Sequence, residues 1–346
     1  QDLNLGLAAG AIISGAYFGD KLSPLSDTTN LAAAMAGADL FTHIRHMLWT
    51  TTPSFLIAVG FFVIAGFVGA QPAPTDNLEV VLRDLEAQFS IGLHLLLPVI
   101  LVIVLVLKKM PAFPAIFLGA LVGGLFAAVF QQATVLTYVG ETDLPRSVAL
   151  IKGVWIAMFD GFVLNSGNAT LDELLSRGGM SSMFGTIWLI MTAMMFGGAM
   201  EASRMLQRIA DGILSFVRGT ASLIAATIVT CISTNVIASD QYISIVLPGR
   251  IFRAEYRNRK LHPKNLSRTI EDSGTLTSPL IPWNTCGAFM SQALGVATLT
   301  YLPFCFFNLI SPLIAAIYGY ANFTIEKLEA SDSDEPEDIE HALGPR

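Results

Sequence analysis

The stretch GDKLSPLSDTTN, residues 19–30, places two carboxylates, a lysine and a proline between two runs that are almost wholly apolar. Proline removes a backbone donor and clashes with the preceding helical turn, and the residue before a proline is biased away from helix. We therefore expect a helix to break around residues 19–27. Inside a membrane, such a break is tolerated only where protein or a water-filled cavity satisfies the freed backbone groups.

The composition indicates that this stretch lies in a membrane. Of 346 residues, 53% are hydrophobic and only 14% are charged, and the mean hydropathy is +0.59, whereas about a quarter of an average soluble domain is charged. Continuous apolar runs approach or exceed the roughly 20 residues that cross hydrocarbon as helix. They cover residues 54–70, 91–107, 113–130, 183–200, 222–238 and 299–318. Barrel strands would alternate instead, so we predict an all-α polytopic membrane protein.

A second stretch, GTLTSPLIPWNT at residues 274–285, repeats the pattern of the first. Both read Gly-x-x-x-Ser-Pro-Leu and then reach an Asn beside a Thr, at Asn30 and Asn284. Lys and Arg in short loops are retained on the cytoplasmic side, which places the basic loop 250–268 inside and gives the two broken helices opposite directions. Opposed broken helices predict an inverted-repeat secondary transporter with discontinuous helices.

The same reasoning divides the chain into segments. Residues 1–36 are expected to form the broken helix of the first repeat, residues 37–147 connecting transmembrane helices, and residues 148–325 the second repeat. Polar interruptions in residues 147–179 predict a re-entrant hairpin, with a plain loop at the headgroups as the alternative. Residues 326–346 read as an acidic, disordered cytoplasmic tail. Little sequence precedes the first break, so we expect N-terminal helices to be missing.

The broken helices supply oxygen atoms of the kind that suit a hard cation such as Na⁺. The predicted cation- and proton-binding residues are Asp20, Ser23, Ser26, Asp27, Thr28, Thr29 and Asn30 in the first break and Ser278, Asn284 and Thr285 in the second. Intramembrane carboxylates are costly and functional by default. Asp27 is the leading candidate for a carboxylate that holds either a proton or Na⁺. The alternatives are that Asp20 pairs with Lys21 and that Asp27 only caps the following helix.

Further polar residues are candidates for the ion path: Asn235, Asp240, Glu271 and Asp272. For the last two, the alternative is a solvated helix start beside the basic loop. His43 and His46 share an i,i+3 face near the cytoplasmic end, where we expect interfacial histidines, with a pH sensor as the alternative. The cysteines lie in apolar surroundings without a ligand spacing, so neither a disulfide framework nor a zinc site is predicted.

Residues 10–34 and 271–287, the second reading EDSGTLTSPLIPWNTCG, resemble the NhaC family of Na⁺/H⁺ antiporters, as does LLSRGGM at residues 174–180. The resemblance extends over nearly all of residues 4–322. It implies an ion-transporter fold with two inverted repeats, located in the cell membrane, that exchanges Na⁺ or Li⁺ for H⁺. Family members have further N-terminal helices.

The resemblance leaves one alternative open, because the family includes malate/lactate antiporters that share the SPLSDTTN-type motif. An organic anion would need donors such as Asn30, Asn284, Thr285 or Lys21, or a helix N-terminus. A channel or a non-transporting scaffold is a third hypothesis, which a titratable Asp disfavours. No nucleotide loop or HExxH motif is present in the sequence, so we predict no enzyme activity and no cofactor. Topology explains the basic loop 250–268, so we predict no nucleic-acid partner. The expected partners are Na⁺, H⁺, the lipid bilayer and a second copy in a homodimer.

Overall fold

The computed structural model describes residues 4–24, 26–69, 83, 85–108, 110, 112–140, 144–164, 172 and 175–328. Within these residues the chain is predominantly α-helical. In chain order, the helices are α1 (Leu5–Lys21), α2 (Asp27–Ala36), α3 (Leu40–Gly69), α4 (Leu97–Leu107), α5 (Ala112–Phe130), α6 (Gln132–Val139), α7 (Arg146–Asp160), α8 (Phe184–Ala202), α9 (Met205–Leu214), α10 (Thr220–Ile237), α11 (Gln241–Asn258), α12 (Pro263–Ile270), α13 (Thr285–Leu294), α14 (Thr298–Tyr301) and α15 (Phe306–Ala321).

Short irregular turns interrupt these helices where the sequence places glycine or proline. The 3₁₀ turns are Leu93–Leu96, Met180–Met183, Ser278–Leu280 and Leu302–Phe304, and a π turn covers Glu271–Thr275. Two short strands, β1 (Gly161–Phe162) and β2 (Arg177–Gly178), pair antiparallel, with Gly161 opposite Gly178.

Among the described residues, four helices are long and apolar enough to cross a membrane: Leu40–Phe67, Phe113–Phe130, Met180–Ala202 and Thr220–Ile237. The pair Thr298–Phe304 and Phe306–Ala321, bent by 56°, makes a fifth if it is counted as one span. Large apolar side chains such as Phe67, Leu93 and Phe113 are exposed, as expected of helices that face lipid. The prediction of an all-α membrane protein is confirmed.

The chain divides into two compact units, Gln1–Ala70 with Trp188–Arg346 and Gln71–Ile187. In the first unit, α2 packs on α11 and α12, and α1 packs on α3, α14 and α15. In the second, α5 packs on α4 and α7, and α6 packs on α7. The breaks that follow α1 and α12 both belong to the first unit, so packing within that unit determines how they meet.

The basic segment 250–268 is mostly helical, so the prediction of a loop there is wrong. α11 continues to Asn258 and α12 begins at Pro263, which leaves residues 259–262 as the connection. Positive charge identifies the side of the membrane at which a segment ends, but it does not distinguish a loop from a solvated helix end.

Several predictions fall on residues outside those that the structure describes. The pairing of β1 with β2 brings the chain back on itself after α7, but residues 165–171, 173 and 174 of the predicted re-entrant hairpin lie outside the described residues. The hairpin therefore stays a prediction. The same holds for residues 329–346 of the predicted acidic tail.

Candidate functional site

The first break lies between Lys21, the last residue of α1, and Asp27, the first residue of α2. Pro24 stands in the middle of it, where the missing backbone donor ends the helical ladder. Ser26 is the N-cap of α2, because its Oγ accepts from the backbone N–H of Thr29 at 3.4 Å. The interpretation of Asp27 as the cap is therefore wrong, since Asp27 is already the first helical residue.

Two predicted ligands of the first break bind its freed backbone. Thr29 Oγ1 donates to the carbonyl of Lys21 at 3.2 Å, and Asn30 Nδ2 donates to the carbonyls of Pro24 and Ser26 at 2.9 and 2.6 Å. Ser23 also takes part in this turn, since its backbone N–H donates to the carbonyl of Asp20 at 3.0 Å. These contacts are the internal satisfaction that a membrane requires of irregular backbone.

The second break begins where α12 widens into the π turn and ends at Thr285. π turns of this kind are frequent at functional sites, and here the turn carries Glu271 and Asp272, both 0% exposed. Ser278 Oγ donates to the carbonyl of Thr275 at 2.7 Å. Asn284 is the N-cap of α13, because its Oδ1 accepts from the backbone N–H of Cys286 at 3.0 Å.

A buried ion pair joins the two breaks. Lys21 Nζ binds Asp272 Oδ1, and both side chains are fully buried. The same carboxylate oxygen accepts from Thr50 Oγ1 at 3.2 Å and Ser311 Oγ at 3.0 Å. The alternative pairing of Lys21 with Asp20 is therefore wrong.

A second connection between the breaks runs through one hydroxyl group. Thr28 Oγ1 lies 3.3 Å from Glu271 Oε1, 3.3 Å from Asp20 Oδ2 and 3.0 Å from Ser26 Oγ. A threonine hydroxyl has one hydrogen to donate, so it cannot satisfy both carboxylates at once. Glu271 Oε2 is buried and has no hydrogen-bond partner among the described residues.

The charges do not cancel where the two breaks meet, at a cluster that we call the junction: Asp20, Lys21, Ser26, Thr28, Thr50, Glu271, Asp272 and Ser311. Lys21 neutralises the carboxylate of Asp272 by direct contact. Two further carboxylates belong to the same cluster: that of Glu271, which is fully buried, and that of Asp20, which is exposed. Asp272 Oδ2 is also buried without a hydrogen-bond partner among the described residues. Buried negative charge is costly unless a cation or a proton compensates it.

Asn235, a predicted residue of the ion path, contacts the second break but not its carboxylates. Asn235 Nδ2 donates to the carbonyl of Gly274 at 2.6 Å and to Thr277 Oγ1 at 3.0 Å, and its Oδ1 accepts from Asn284 Nδ2 at 3.1 Å. The backbone N–H of Thr285 donates to the carbonyl of residue 239 at 3.0 Å. These groups bind one another and the freed backbone, which is a structural role.

Two predicted carboxylates lie apart from the junction. Asp27 is exposed, and its Oδ2 accepts from the hydroxyl of Tyr242 at 2.5 Å. Asp240 is buried and caps α11, because its Oδ1 accepts from the backbone N–H of Ile243 at 2.9 Å. The junction instead contains Lys21, Thr50 and Ser311, which the sequence-based site lacked.

The described residues contain no group of three or more His, Cys, Asp or Glu side chains that could hold a metal ion together. A cation at the junction would therefore depend on hydroxyl and backbone oxygens as well as carboxylates. Hard monovalent cations accept such mixed oxygen ligands in transporters with broken helices. The cysteines at positions 231, 286 and 305 are free thiols.

Comparisons with known proteins identify what this chain is similar to. The Na⁺/H⁺ antiporter family matches residues 15–323. The chain is 40% identical over 321 residues to the Na⁺/H⁺ antiporter NhaC of Alkalihalophilus pseudofirmus, covering 93% of this chain and 66% of that protein. It is 38% identical over 313 residues to the Na⁺/H⁺ antiporter NhaC of Bacillus subtilis, covering 90% and 66%.

A third relative, the malate-2H⁺/Na⁺-lactate antiporter of Bacillus subtilis, is 35% identical over 317 residues, which cover 91% of this chain and 64% of that protein. The chain thus spans about two thirds of the length of these relatives. No solved structure matches the chain.

Proposed function

We propose that this chain, which belongs to the Na⁺/H⁺ antiporter family, exchanges Na⁺ or Li⁺ for H⁺ across the cell membrane by alternating access. One observation carries the proposal. Two broken helices bring Asp20, Glu271 and Asp272 to one junction where Lys21 is the counter-charge in direct contact. The uncompensated negative charge favours binding of a cation or a proton, and competition between them at one site produces exchange.

Glu271 is the carboxylate that we assign as the centre of this exchange. It is fully buried, one of its oxygens shares the Thr28 hydroxyl with Asp20, and the other has no hydrogen-bond partner among the described residues. A proton on Glu271 would neutralise it, and Na⁺ would bind the same oxygens with the hydroxyls of Ser26 and Thr28. The two forms exclude each other.

Alternating access requires that the contacts between the breaks rearrange. The Lys21–Asp272 pair and the Thr28 hydroxyl connect residues 1–36 with residues 148–325, the two segments that the sequence pattern assigns to inverted repeats. In transporters of this plan, one repeat rocks against the other around a fixed central site. We propose that ion binding at Glu271 changes the strength of these connections and so permits the motion.

Transport of an organic anion fits the junction less well. The cation that would attract such an anion is Lys21, and Asp272 already occupies its ammonium group in a fully buried pair. The malate/lactate antiporter among the relatives makes this the function to test against.

The direct test uses the purified protein in liposomes that contain a pH-sensitive dye. We expect an outward Na⁺ gradient to drive proton uptake in the absence of organic acids, and Li⁺ to replace Na⁺. A proton flux that appears only after malate or lactate is added would move the assignment to organic-acid exchange. No flux under either condition would contradict both.

Two variants then locate the exchanging carboxylate. Glu271→Gln keeps the shape of the side chain but cannot ionise, so we expect Na⁺-driven proton flux to fall to the background of empty liposomes. The matched control is Glu255→Gln, which should transport normally. The carboxylate that it removes pairs with Arg259 at the solvated end of α11. Asp27→Asn tests the sequence-based assignment: loss of flux in this variant alone would place the exchange at Asp27.

A further inference from the structure

The connection between α8 and α10 lies at one surface of the membrane. Met180–Ala202 and Thr220–Ile237 are both long and apolar enough to cross it, so residues 203–219 join the ends of two spans. Most of this connection is α9, Met205–Leu214. Arg204 precedes α9 in the left-handed region, with φ of 58°, and this turn separates α9 from α8. The proposed Na⁺ site uses no residue of the connection.

The helix α9 has three different sides. Leu206 is 3% exposed and lies on the side where α9 packs on α10 and α11. Met205 and Ile209, which are 52% and 37% exposed, form an apolar flank. Gln207 and Asp211 form a polar flank, where both side chains are exposed and bond to each other. A packed side, an apolar exposed side and a polar exposed side are what a helix lying along the membrane interface requires.

Three exposed arginines accompany this helix. Arg208 projects between the apolar and the polar flank, because successive helical residues are about 100° apart. Arg204 stands directly before α9, and Arg218 follows it in the chain. Among the described residues, none of the three forms an ion pair. An arginine at such a boundary lays its aliphatic stem along apolar surface and keeps its guanidinium group at the level of the headgroups.

Phe216 adds a large apolar side chain to the exposed surface of the connection. It is 80% exposed, whereas Ile213, Leu214 and Val217 pack against the buried cluster that includes Leu223. The chain therefore folds onto the protein on both sides of Phe216 and leaves this ring outside. Transfer of apolar area from water to hydrocarbon is favourable, so the ring is stabilised among acyl chains when the connection lies at the membrane surface.

We propose that this surface binds anionic phospholipids and so holds the connection between α8 and α10 at the level of the headgroups. The residues of the surface, which we call the interface patch, are Arg204, Met205, Arg208, Ile209, Phe216 and Arg218. Guanidinium groups bind phosphate by charge-assisted hydrogen bonds, and the apolar side chains bind the acyl chains of the same lipid. An acidic peptide such as residues 329–346 would match the charges but leave the apolar flank in water.

The first test is thermal unfolding of the purified protein in detergent with added phosphatidylglycerol or phosphatidylcholine. A lipid that binds the folded state raises the unfolding midpoint, so we expect a rise with phosphatidylglycerol and none with phosphatidylcholine. The lipid concentration that gives half of this rise should increase at least about tenfold when three arginines are lost, because each arginine near an anionic surface strengthens association about fivefold. The triple variant is Arg204→Gln, Arg208→Gln and Arg218→Gln.

The matched control removes the same charge from exposed arginines of α11, which lie outside the patch. It combines Arg250→Gln, Arg253→Gln and Arg257→Gln, and it should keep the lipid response of the unmodified protein. An equal loss of the response in both triple variants, or an equal response to both lipids, would overturn the proposal. So would a response to phosphatidylglycerol that appears only after the acidic residues of 329–346 are changed to amides, since that segment would then be the occupant.

A second measurement locates the apolar flank without changing any arginine. We expect a thiol-linked fluorophore at Ile209→Cys or Phe216→Cys in liposomes to be quenched by lipids with brominated acyl chains. The same fluorophore at Gln207→Cys, on the polar flank, should be quenched by iodide in the water instead. Labelling of the unmodified protein gives the background of its own free cysteines.

Iodide quenching at positions 209 and 216 as strong as at position 207 would overturn the interfacial position of α9. Neither measurement uses Na⁺/H⁺ exchange. The interface patch and the proposed function can therefore fail independently of each other.

Discussion

The ion pair of Lys21 with Asp272 is a direct contact between opposite charges inside the protein. Both side chains are 0% exposed, and Thr50 and Ser311 complete the hydrogen bonding of the shared carboxylate oxygen. A buried pair gains little over apolar residues of the same shape, because desolvation offsets the attraction. Removing only one partner, however, leaves a charge that nothing compensates.

We therefore predict that Lys21→Met destabilises the protein by about 3–5 kcal/mol, the cost of an unpaired buried charge. The measurement is thermal unfolding in detergent micelles, compared with Lys108→Met, which alters an exposed lysine directly after α4, as the control. The double variant Lys21→Met with Asp272→Asn should recover most of the loss, since neither charge remains. A double variant as unstable as Lys21→Met would show that packing around Lys21, and not its charge, is responsible.

At this scale, the sequence predicts which residue types matter but not their partners. Lys21 follows Asp20 directly, yet adjacent residues on a helix do not face each other, and the observed partner lies 251 positions further along the chain. Thr28 was a predicted ligand, and its contacts with Glu271 likewise depend on long-range packing. One sequence contains no information on such pairs, so Thr50 and Ser311 could not be foreseen.

At the scale of elements, the positions of the breaks could be predicted and their internal geometry could not. Pro24 and Pro279 mark the two interruptions correctly because proline acts locally on its own backbone. The π turn Glu271–Thr275, with which the second break begins, has no signal in composition. The same limit explains why the basic segment was assigned to a loop although α11 and α12 extend into it.

A short C-terminal segment binds the solvent end of α12, and the local stability of this contact can be measured. Residues 324–328, which we call the C-terminal strap, pair with residues 260–262 through backbone hydrogen bonds of 2.9 and 3.0 Å. Asn265 fixes the strap, because its Nδ2 donates to the carbonyl of Glu326 at 2.7 Å and its Oδ1 accepts from the Glu326 N–H at 3.1 Å.

We predict that Asn265→Ala loosens the strap. Amide hydrogen exchange within residues 324–328 should rise about tenfold or more, since a lost buried hydrogen bond costs about 1–3 kcal/mol. Exchange in α10 should not change, and Asn258→Ala on the exposed end of α11 is the control. Unaltered exchange in the strap would mean that its backbone pairing alone holds it.

For the whole molecule, composition and the length of the continuous apolar runs were sufficient to predict an all-α membrane protein, because crossing hydrocarbon demands long apolar helices whatever their contacts. The assembly of the site was not predictable in this way. It depends on packing that brings residues 20–28 against residues 271–272, which lie far apart in the sequence. Sidedness depends on charge distribution, which the sequence does contain, so it can be predicted and tested.

The last prediction is the orientation of the molecule in the cell membrane. Positive residues stay in the cytoplasm, so the basic ends of α11 and α12 and the adjoining C-terminal strap should lie inside. Residues 71–90 carry four acidic residues against the single Arg83, so this segment should lie outside. We expect Arg83→Cys to react with a membrane-impermeant maleimide in intact cells, and Arg257→Cys to react only after permeabilisation. Both positions are exposed, and the native cysteines, which are buried or partly buried, give the background in the unmodified protein. Labelling of Arg257→Cys in intact cells would reverse the orientation.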